Sequence, residues 1–314
     1  MKSRTFATIA VPLVAVALLA GCTSTASDTS GQGAAKKVRI ALVMSHLTNS
    51  FTTTFSQAAK AEAEKDGAEL TIFDGKQDQA TQNSAVETAV TQQYDGIMVE
   101  PVSVDGVKPA VQAANQANIP IMTAVQKMTD QSLAKAFVGG DDQAAGKMQM
   151  EKAVQAIGAK GNIAILWGPM GSDSQLNRKK GYDEVLGQNP EVKTVFDSSA
   201  NWDTDQGLKL MENWLQTGKQ IDYVVAQNDA MAIGAAKAIQ DAQLKTPVSG
   251  IDATPEGLQA ITDGRLVGSV SQDTVGQGQL STQIMLKIIK GETVKAETLT
   301  TPVWVTKDNV AQFK

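Results

Sequence analysis

The sequence predicts an α/β protein of two doubly wound parallel-sheet lobes. Three observations carry this. Short apolar runs of strand length alternate with stretches of helical spacing from residue 38 almost to the end. The runs are apolar throughout, as in strands covered by helices on both faces. The alternation passes through four or five units before Gly140 and about as many after it, which favours two similar lobes over one very wide sheet. With 314 residues, 42% of them hydrophobic, two cores can be filled. Such lobes face each other across a cleft lined by the carboxyl ends of both sets of strands.

The chain opens with an address rather than a fold. Lys2 and Arg4 precede an apolar run, Phe6 to Leu19, of signal-peptide length and too short to span a membrane. It ends in Leu19-Ala20-Gly21-Cys22, which resembles the lipobox of bacterial lipoproteins. That resemblance implies a signal peptide over 1–21 and a lipid on Cys22, the chain's one cysteine, which then has no redox role. Residues 22–37, rich in Ser, Thr, Gly and Ala, read as a flexible tether. The expected location is extracytoplasmic, anchored to the bacterial cell membrane.

The elements follow in order. Val38–Met44 is a strand, Phe51–Lys65 a helix, Ala68–Phe73 a strand and Ala80–Gln93 a helix. Gly96–Pro101 is a strand stopped by its proline, Val104–Ala117 a helix, then Ile119–Ala124 and Ala136–Gly139 are strands. A second round begins with helix Asp142–Gly158 and strand Asn162–Trp167. Helix Ser174–Gly187, strand Val192–Asp197, helix Thr204–Thr217 and strand Ile221–Ala226 follow. Helix Ala230–Ala242, strand Thr246–Gly250, helix Pro255–Asp263, strand Leu266–Ser271, helix Gly276–Lys290 and strand Val303–Val305 complete it.

Several function classes are excluded. A net charge of −5 with acids and bases interspersed argues against a nucleic-acid surface. With one Cys and one His, neither a disulfide within the chain nor a Cys/His zinc site can form, and no metal or cofactor is expected. No phosphate loop and no Gly-x-Ser-x-Gly elbow occurs. His46 adjoins Ser45 in a loop, unlike a separable catalytic base. The paired acids Asp141/Asp142 and Asp203/Asp205 stand at helix starts, where carboxylates cap. An enzyme is therefore not expected.

The strand-end loops point to binding. The clearest is Gln227-Asn228-Asp229, where a strand hands directly to a helix and Asn228 or Asp229 can cap it. Other strand-end loops carry Asn49 with Phe51, Gln126, Asp141, Asn201 with Trp202, Asp252 and Gln272. Amides and carboxylates pair with vicinal hydroxyls, and aromatic faces pack on the C–H faces of polyols. No loop brings an Arg/Lys cluster, which disfavours a phosphorylated ligand. This composition suits a neutral polyhydroxylated molecule.

These residues also carry a family resemblance. Ala41-Leu42-Val43-Met44 with Asn49, Ala117-Asn118-Ile119-Pro120-Ile121, Gln227 to Ala235, Gly250 to Gly257 and Gly268 to Gln272 resemble the ribose-type sugar-binding proteins of ABC importers. The resemblance implies the type I periplasmic-binding-protein fold, with two lobes joined by a three-strand hinge. It sets the first lobe at 38–140 plus 273–301 and the second at 141–272 plus 302–314. By position it assigns Ser45, Asn49, Phe51, Trp202, Asn228, Asp252 and Gln272 to sugar binding. It implies an ABC permease as partner, and the protein itself is expected to be a monomer. The rival reading is a sensor of the same fold that signals to a membrane receptor.

The departures from the family pattern matter as much. Val125 and Gln126 stand where an Asp-Arg pair is usual, Leu176 where a second Arg is usual, and Thr52 replaces a second stacking Phe. Arg178, two residues beyond Leu176, either substitutes for that Arg or is a solvated helix charge. Ligand hydroxyls would be left against Val125 and Leu176, so the expected ligand is a small polyol or other neutral sugar rather than ribose. Arg178, His46 and Asp141 are the candidates for replacement contacts, and Gln126 is counted with the ligand-binding residues.

Overall fold

A computed structural model describes residues 37–313; Cys22 and the remainder of the proposed signal and tether lie outside them. The elements in chain order are β1 (Arg39–Met44), α1 (Ser50–Lys65), β2 (Glu69–Asp74), α2 (Gln79–Thr91), β3 (Gly96–Val99), α3 (Lys108–Gln116), β4 (Ile121–Ala124) and β5 (Phe137–Gly140). Then come α4 (Asp142–Ala156), β6 (Gly161–Trp167), α5 (Asp173–Gln188), β7 (Val192–Ser199), α6 (Thr204–Gln216), β8 (Tyr223–Ala226) and α7 (Asp229–Asp241). β9 (Val248–Asp252), α8 (Pro255–Thr262), β10 (Gly268–Ser271), α9 (Thr274–Ile289), β11 (Glu297–Thr300) and β12 (Val303–Val305) close the chain.

The strands form two six-stranded sheets, β11-β5-β4-β3-β1-β2 and β12-β10-β9-β8-β6-β7. The second repeats the order of the first. All pairings are parallel except β10 with β12. The chain passes between sheets after β5, after β10 and between β11 and β12. Helix α9 returns to pack on α1, so the first sheet is completed by residues from far along the sequence.

Period-two alternation explains the core. Ile40, Leu42 and Met44 of β1 face α1 and α9 with Phe55, Ala59 and Met285, while Ala41 and Val43 face α2 and α3 with Val86 and Val111. β6 and β8 split the second lobe likewise: Leu166, Val224 and Ala226 face α6 and α7, and Ile163, Ile165, Tyr223 and Val225 face α4 and α5. Both faces of each central strand are thus covered, as continuous apolar runs require.

Helix starts are fixed by side chains. Asn49, Asp78, Asp141, Asp203, Asn228 and Thr254 each accept from a backbone N–H of the first turn of the helix that follows. Helix α3 is shorter than its pattern suggests. It starts at Lys108 with Pro109 in its first turn, after residues 101–107, which lie outside any helix. Strand β11 had no sequence signal, because Glu-Thr-Leu-Thr at a sheet edge needs no apolar run.

Candidate functional site

In each sheet the strand order reverses at the first strand of the lobe, between β1 and β3 and between β6 and β8. Loops diverge there and leave a crevice at the carboxyl ends. The crevices of both sheets open onto a shared cleft, which holds two connected hollows. An outer one of about 390 Å³ is lined by residues that include Asn49, Phe51, Trp202, Asn228, Asp252 and Glu256. An inner one of about 30 Å³ is walled by His46, Phe51, Glu100, Val125 and Gln126 from the first lobe and by Ser174, Arg178, Trp202, Asn228 and Asp252 from the second. The inner hollow is about one water in size, so a polyol reaches its walls only if the lobes part or side chains move.

The second-lobe wall is built around Arg178. Its position on α5 follows from the buried face 178, 181, 182 and 185, a helical repeat. The guanidinium Nε donates to Asp142 Oδ1 at 2.8 Å, Nη1 donates to the Gln227 carbonyl, and Nη2 lies 4.0 Å from Asp252 Oδ1. Its Cζ lies 5.4 Å from the centroid of the Trp202 ring. Burial opposes the charge, but Asp142 and Asp252 outweigh it, so the pKa of Arg178 is held above its ordinary value. This corrects the reading of Arg178 as a solvated helix charge: it is 4% exposed. Leu176 is corrected with it. That side chain is 39% exposed and lines neither hollow, because it is turned off the buried face of α5.

Asp252 and Trp202 are held in uncommon backbone conformations, with φ of +123° and +61°. Gln272 Nε2 donates to Asp252 Oδ1 at 3.1 Å. Burial raises the Asp252 pKa well above the usual carboxylate range, with Arg178 opposing and Asp229 adding to the rise. The Trp202 ring lies over Gly168, where an added Cβ would come within 2.1 Å of it, so only glycine admits the ring. Asn228 caps α7, and its Nδ2 donates to the Trp202 carbonyl at 3.4 Å.

The neighbours of Asn228 have other tasks. Gln227 accepts from the Gly168 N–H at 3.0 Å and donates to the Gln175 carbonyl at 3.1 Å. Asp229 is fully buried and accepts from Ser269 Oγ at 2.6 Å and from the Thr254 N–H at 2.8 Å, which ties α7 to β10 and the start of α8. Burial pushes its pKa up to about 6.

The first-lobe wall differs. His46 is buried and its Nδ1 accepts from the Thr48 N–H at 3.3 Å, which places the ring proton on Nε2. Burial pushes its pKa down to about 4, so the ring is neutral near pH 7. Glu100, at the end of β3, had no sequence signal as a site residue. Its Oε2 accepts from the Ser45 N–H at 3.1 Å and the Ser45 hydroxyl at 2.8 Å. Burial pushes its pKa up to about 7, against hydrogen bonds from Ser45 and Gln126. Val125 lines the same wall at φ +64°, a conformation that strains a β-branched residue.

The sequence-derived site residues therefore separate. His46, Asn49, Phe51, Gln126, Trp202, Asn228 and Asp252 converge on the hollows. Ser45 and Gln272 sit behind them and hold Glu100 and Asp252. Asp141 does not converge. It caps α4 by accepting from the Ala144 N–H at 3.0 Å and lines neither hollow, as a carboxylate at a helix start ordinarily does.

Two hydrogen bonds bridge the sheets' loops across the cleft. Gln77 Nε2 donates to the Asn201 carbonyl at 3.1 Å, and the Lys127 N–H donates to Asp173 Oδ2 at 2.9 Å.

Known proteins resemble this chain over most of its length. Residues 40–293 match the family described as periplasmic binding protein domain. A xylitol-binding protein of Mycolicibacterium smegmatis is 35% identical over 287 residues, covering 91% of this chain and 81% of its own. The ribose import binding protein of Bacillus subtilis is 30% identical over 274 residues, covering 87% and 88%. The crystal structure of an ABC transporter solute binding protein from Bacillus halodurans with bound myo-inositol superposes with a TM-score of 0.85 at 33% identity, covering 90% of this chain and 98% of that one. Twin α/β sheets of matching order, a cleft at their carboxyl ends and these similarities lead to one conclusion: the chain belongs to the type I periplasmic-binding-protein family, extracytoplasmic solute-binding proteins that are not enzymes.

Proposed function

We propose that this protein captures a neutral polyhydroxylated molecule, a sugar alcohol or a monosaccharide other than ribose, between its lobes and delivers it to an ABC permease for import. The observation that carries this reading is the lining of the cleft. Amides, carboxylates, Phe51 and Trp202 face it, and the one cation of the inner wall, Arg178, is already engaged by Asp142 and Asp252. An anionic ligand would find no free cation there. Xylitol and myo-inositol, named for two similar proteins, are of the expected class.

The two lobes, 38–140 with 273–301 and 141–272 with 302–314, would close about the ligand, since contacts to both favour the closed state. A lipid on Cys22 would keep the receptor near its permease, more than one acyl chain being needed for stable anchoring. Labelling with a fatty acid, lost in Cys22→Ser, checks the anchor.

A thermal-shift screen against sugars, sugar alcohols and inositols tests the ligand class. Ligand at a hundred times its dissociation constant adds about 2.7 kcal/mol of stability, which is readily seen. A shift with short polyols and none with ribose is the expected result. A shift with ribose overturns the ligand argument from Val125, and no shift with any polyhydroxylated compound overturns the class. Asp252→Ala should abolish measurable binding; affinity kept within about twofold would remove Asp252 from the site, since a lost charged hydrogen bond costs more than that.

A further inference from the structure

The inner hollow has a buried acid that its own wall leaves incompletely satisfied. Glu100 is 3% exposed, and among the described residues no cation lies within ion-pair distance of it. Oε2 is held twice by Ser45. Oε1 receives only the Gln126 amide, at 3.5 Å, the outer limit of a hydrogen bond. Gln126 Oε1 is itself buried without any donor. Both side chains line the same hollow, and Val125 lines it with them.

One weakly held acceptor and one without a donor in a buried wall are costly. The groups around Glu100 do not resolve this. His46, from the loop after β1, has Nδ1 engaged by Thr48, and its Nε2–H makes no hydrogen bond to Glu100 or Gln126. Gln82, from α2, donates to the Glu100 backbone carbonyl at 2.7 Å and not to its side chain. Arg178 and Asp252 face it from the opposite wall and are engaged with each other and with Asp142 and Gln272. With Glu100 ionised, the missing donors are left to a molecule in the hollow.

We propose that Glu100 is the ligand-selecting residue of the first-lobe wall, with Glu100 Oε1 and Gln126 Oε1 accepting two hydroxyl protons from neighbouring ligand carbons. Val125 closes the wall beside them and favours a ligand carbon that bears no hydroxyl. The wall selects for a vicinal diol and against a carboxylate or ketone at that place, because acceptors would then face acceptors. The negative charge that the family pattern places at the end of β4 is thereby moved to the end of β3. This inference rests on the polyol reading above.

The test uses Glu100→Gln in the full chain, with xylitol and myo-inositol as probes in calorimetric titrations at pH 8, and thermal melts without probe at pH 5 and pH 8. Glutamine keeps an acceptor for Ser45 and offers its amide to Gln126. The variant should bind a probe at least tenfold more weakly than the parent. It should also melt higher than the parent at pH 8 and level with it at pH 5. Undiminished affinity overturns the proposal, and so does a lower melting temperature at pH 8, which would mark Glu100 as a structural acceptor. If the parent binds neither probe, the affinity arm passes to whichever polyol or sugar shifts the parent's melting temperature, and the polyol reading fails only if none does. The melts then decide the role of Glu100 alone: a higher value at pH 8 supports an acceptor awaiting a donor, a lower one overturns it.

Discussion

The two walls of the inner hollow solve the problem of buried polar groups in opposite ways. On the second-lobe wall, Arg178 bridges Asp142 and Asp252, Gln272 completes Asp252, and the strained backbones of Trp202 and Asp252 are held by this network. On the first-lobe wall, apolar packing around Phe51 and Val125 surrounds Glu100 and Gln126, and acceptors are left over. The difference teaches that one wall is preorganised by its own charges while the other is completed from outside. On the proposed role of Glu100, ligand specificity belongs mainly to the first wall, and rigidity to the second.

The strongest way to break this comparison is to remove its central charge. Arg178→Met should cost roughly 3–5 kcal/mol in urea denaturation, because Asp142 is left buried and unpaired. The same experiment on Leu176→Ser should change stability by less than about 0.5 kcal/mol, as for other exposed positions. Near-equal effects would show that the second wall is not organised by Arg178.

A pH series sharpens the first wall. Glu100 is raised to about 7, so the folded state holds its proton more tightly than the unfolded one. Its contribution is present below the ordinary carboxylate range and is lost as pH rises towards 7, by roughly 3 kcal/mol. His46 is lowered to about 4 and has the opposite sign: its contribution is present above its ordinary pKa and is lost as pH falls towards 4. The two slopes oppose each other in the parent, on top of the loss with rising pH that Asp229 and Asp252, also raised by burial, contribute. Relative to the parent, Glu100→Gln should therefore gain stability as pH rises over about pH 4.5 to 7, and His46→Asn should lose it over about pH 4 to 6.5. Profiles in both variants that run parallel to the parent's would mean that neither group is buried as described.

The smallest expected effect concerns the bridges across the cleft. Asp173→Ala removes the acceptor of the Lys127 N–H and should weaken ligand binding only several-fold, the worth of about 1 kcal/mol for one hydrogen bond. Gln77→Ala should act similarly through Asn201. No change in titration calorimetry for either variant would show that these contacts do not favour the closed form.

Much of this was legible in the sequence. Apolar runs, helical spacing and capping residues sufficed for nearly every element, since burial on both sheet faces leaves a plain mark. Asn228 was legible as both cap and cleft residue because the strand ends directly before it. Arg178 was left open between a site contact and a solvated charge although its signal was present: 178, 181, 182 and 185 share one helix face, whereas Leu176 does not. Glu100 left no such signal. A glutamate before a proline reads as a strand end, and only the pairing of β1 with β3 brings it to the crevice beside Ser45. Strand β11 stayed hidden because an edge strand owes its place to backbone pairing with β5 and not to apolar side chains.

The passage from β11 to β12 has a consequence for the order in which the protein can be made. The edge strands β11 and β12 come from residues 297–305, later in the chain than every other described strand. Until these residues are added, β5 and β10 keep open backbone edges, and neither half of the molecule can complete itself. A polypeptide arranged this way finishes its two halves together, from one short stretch of chain.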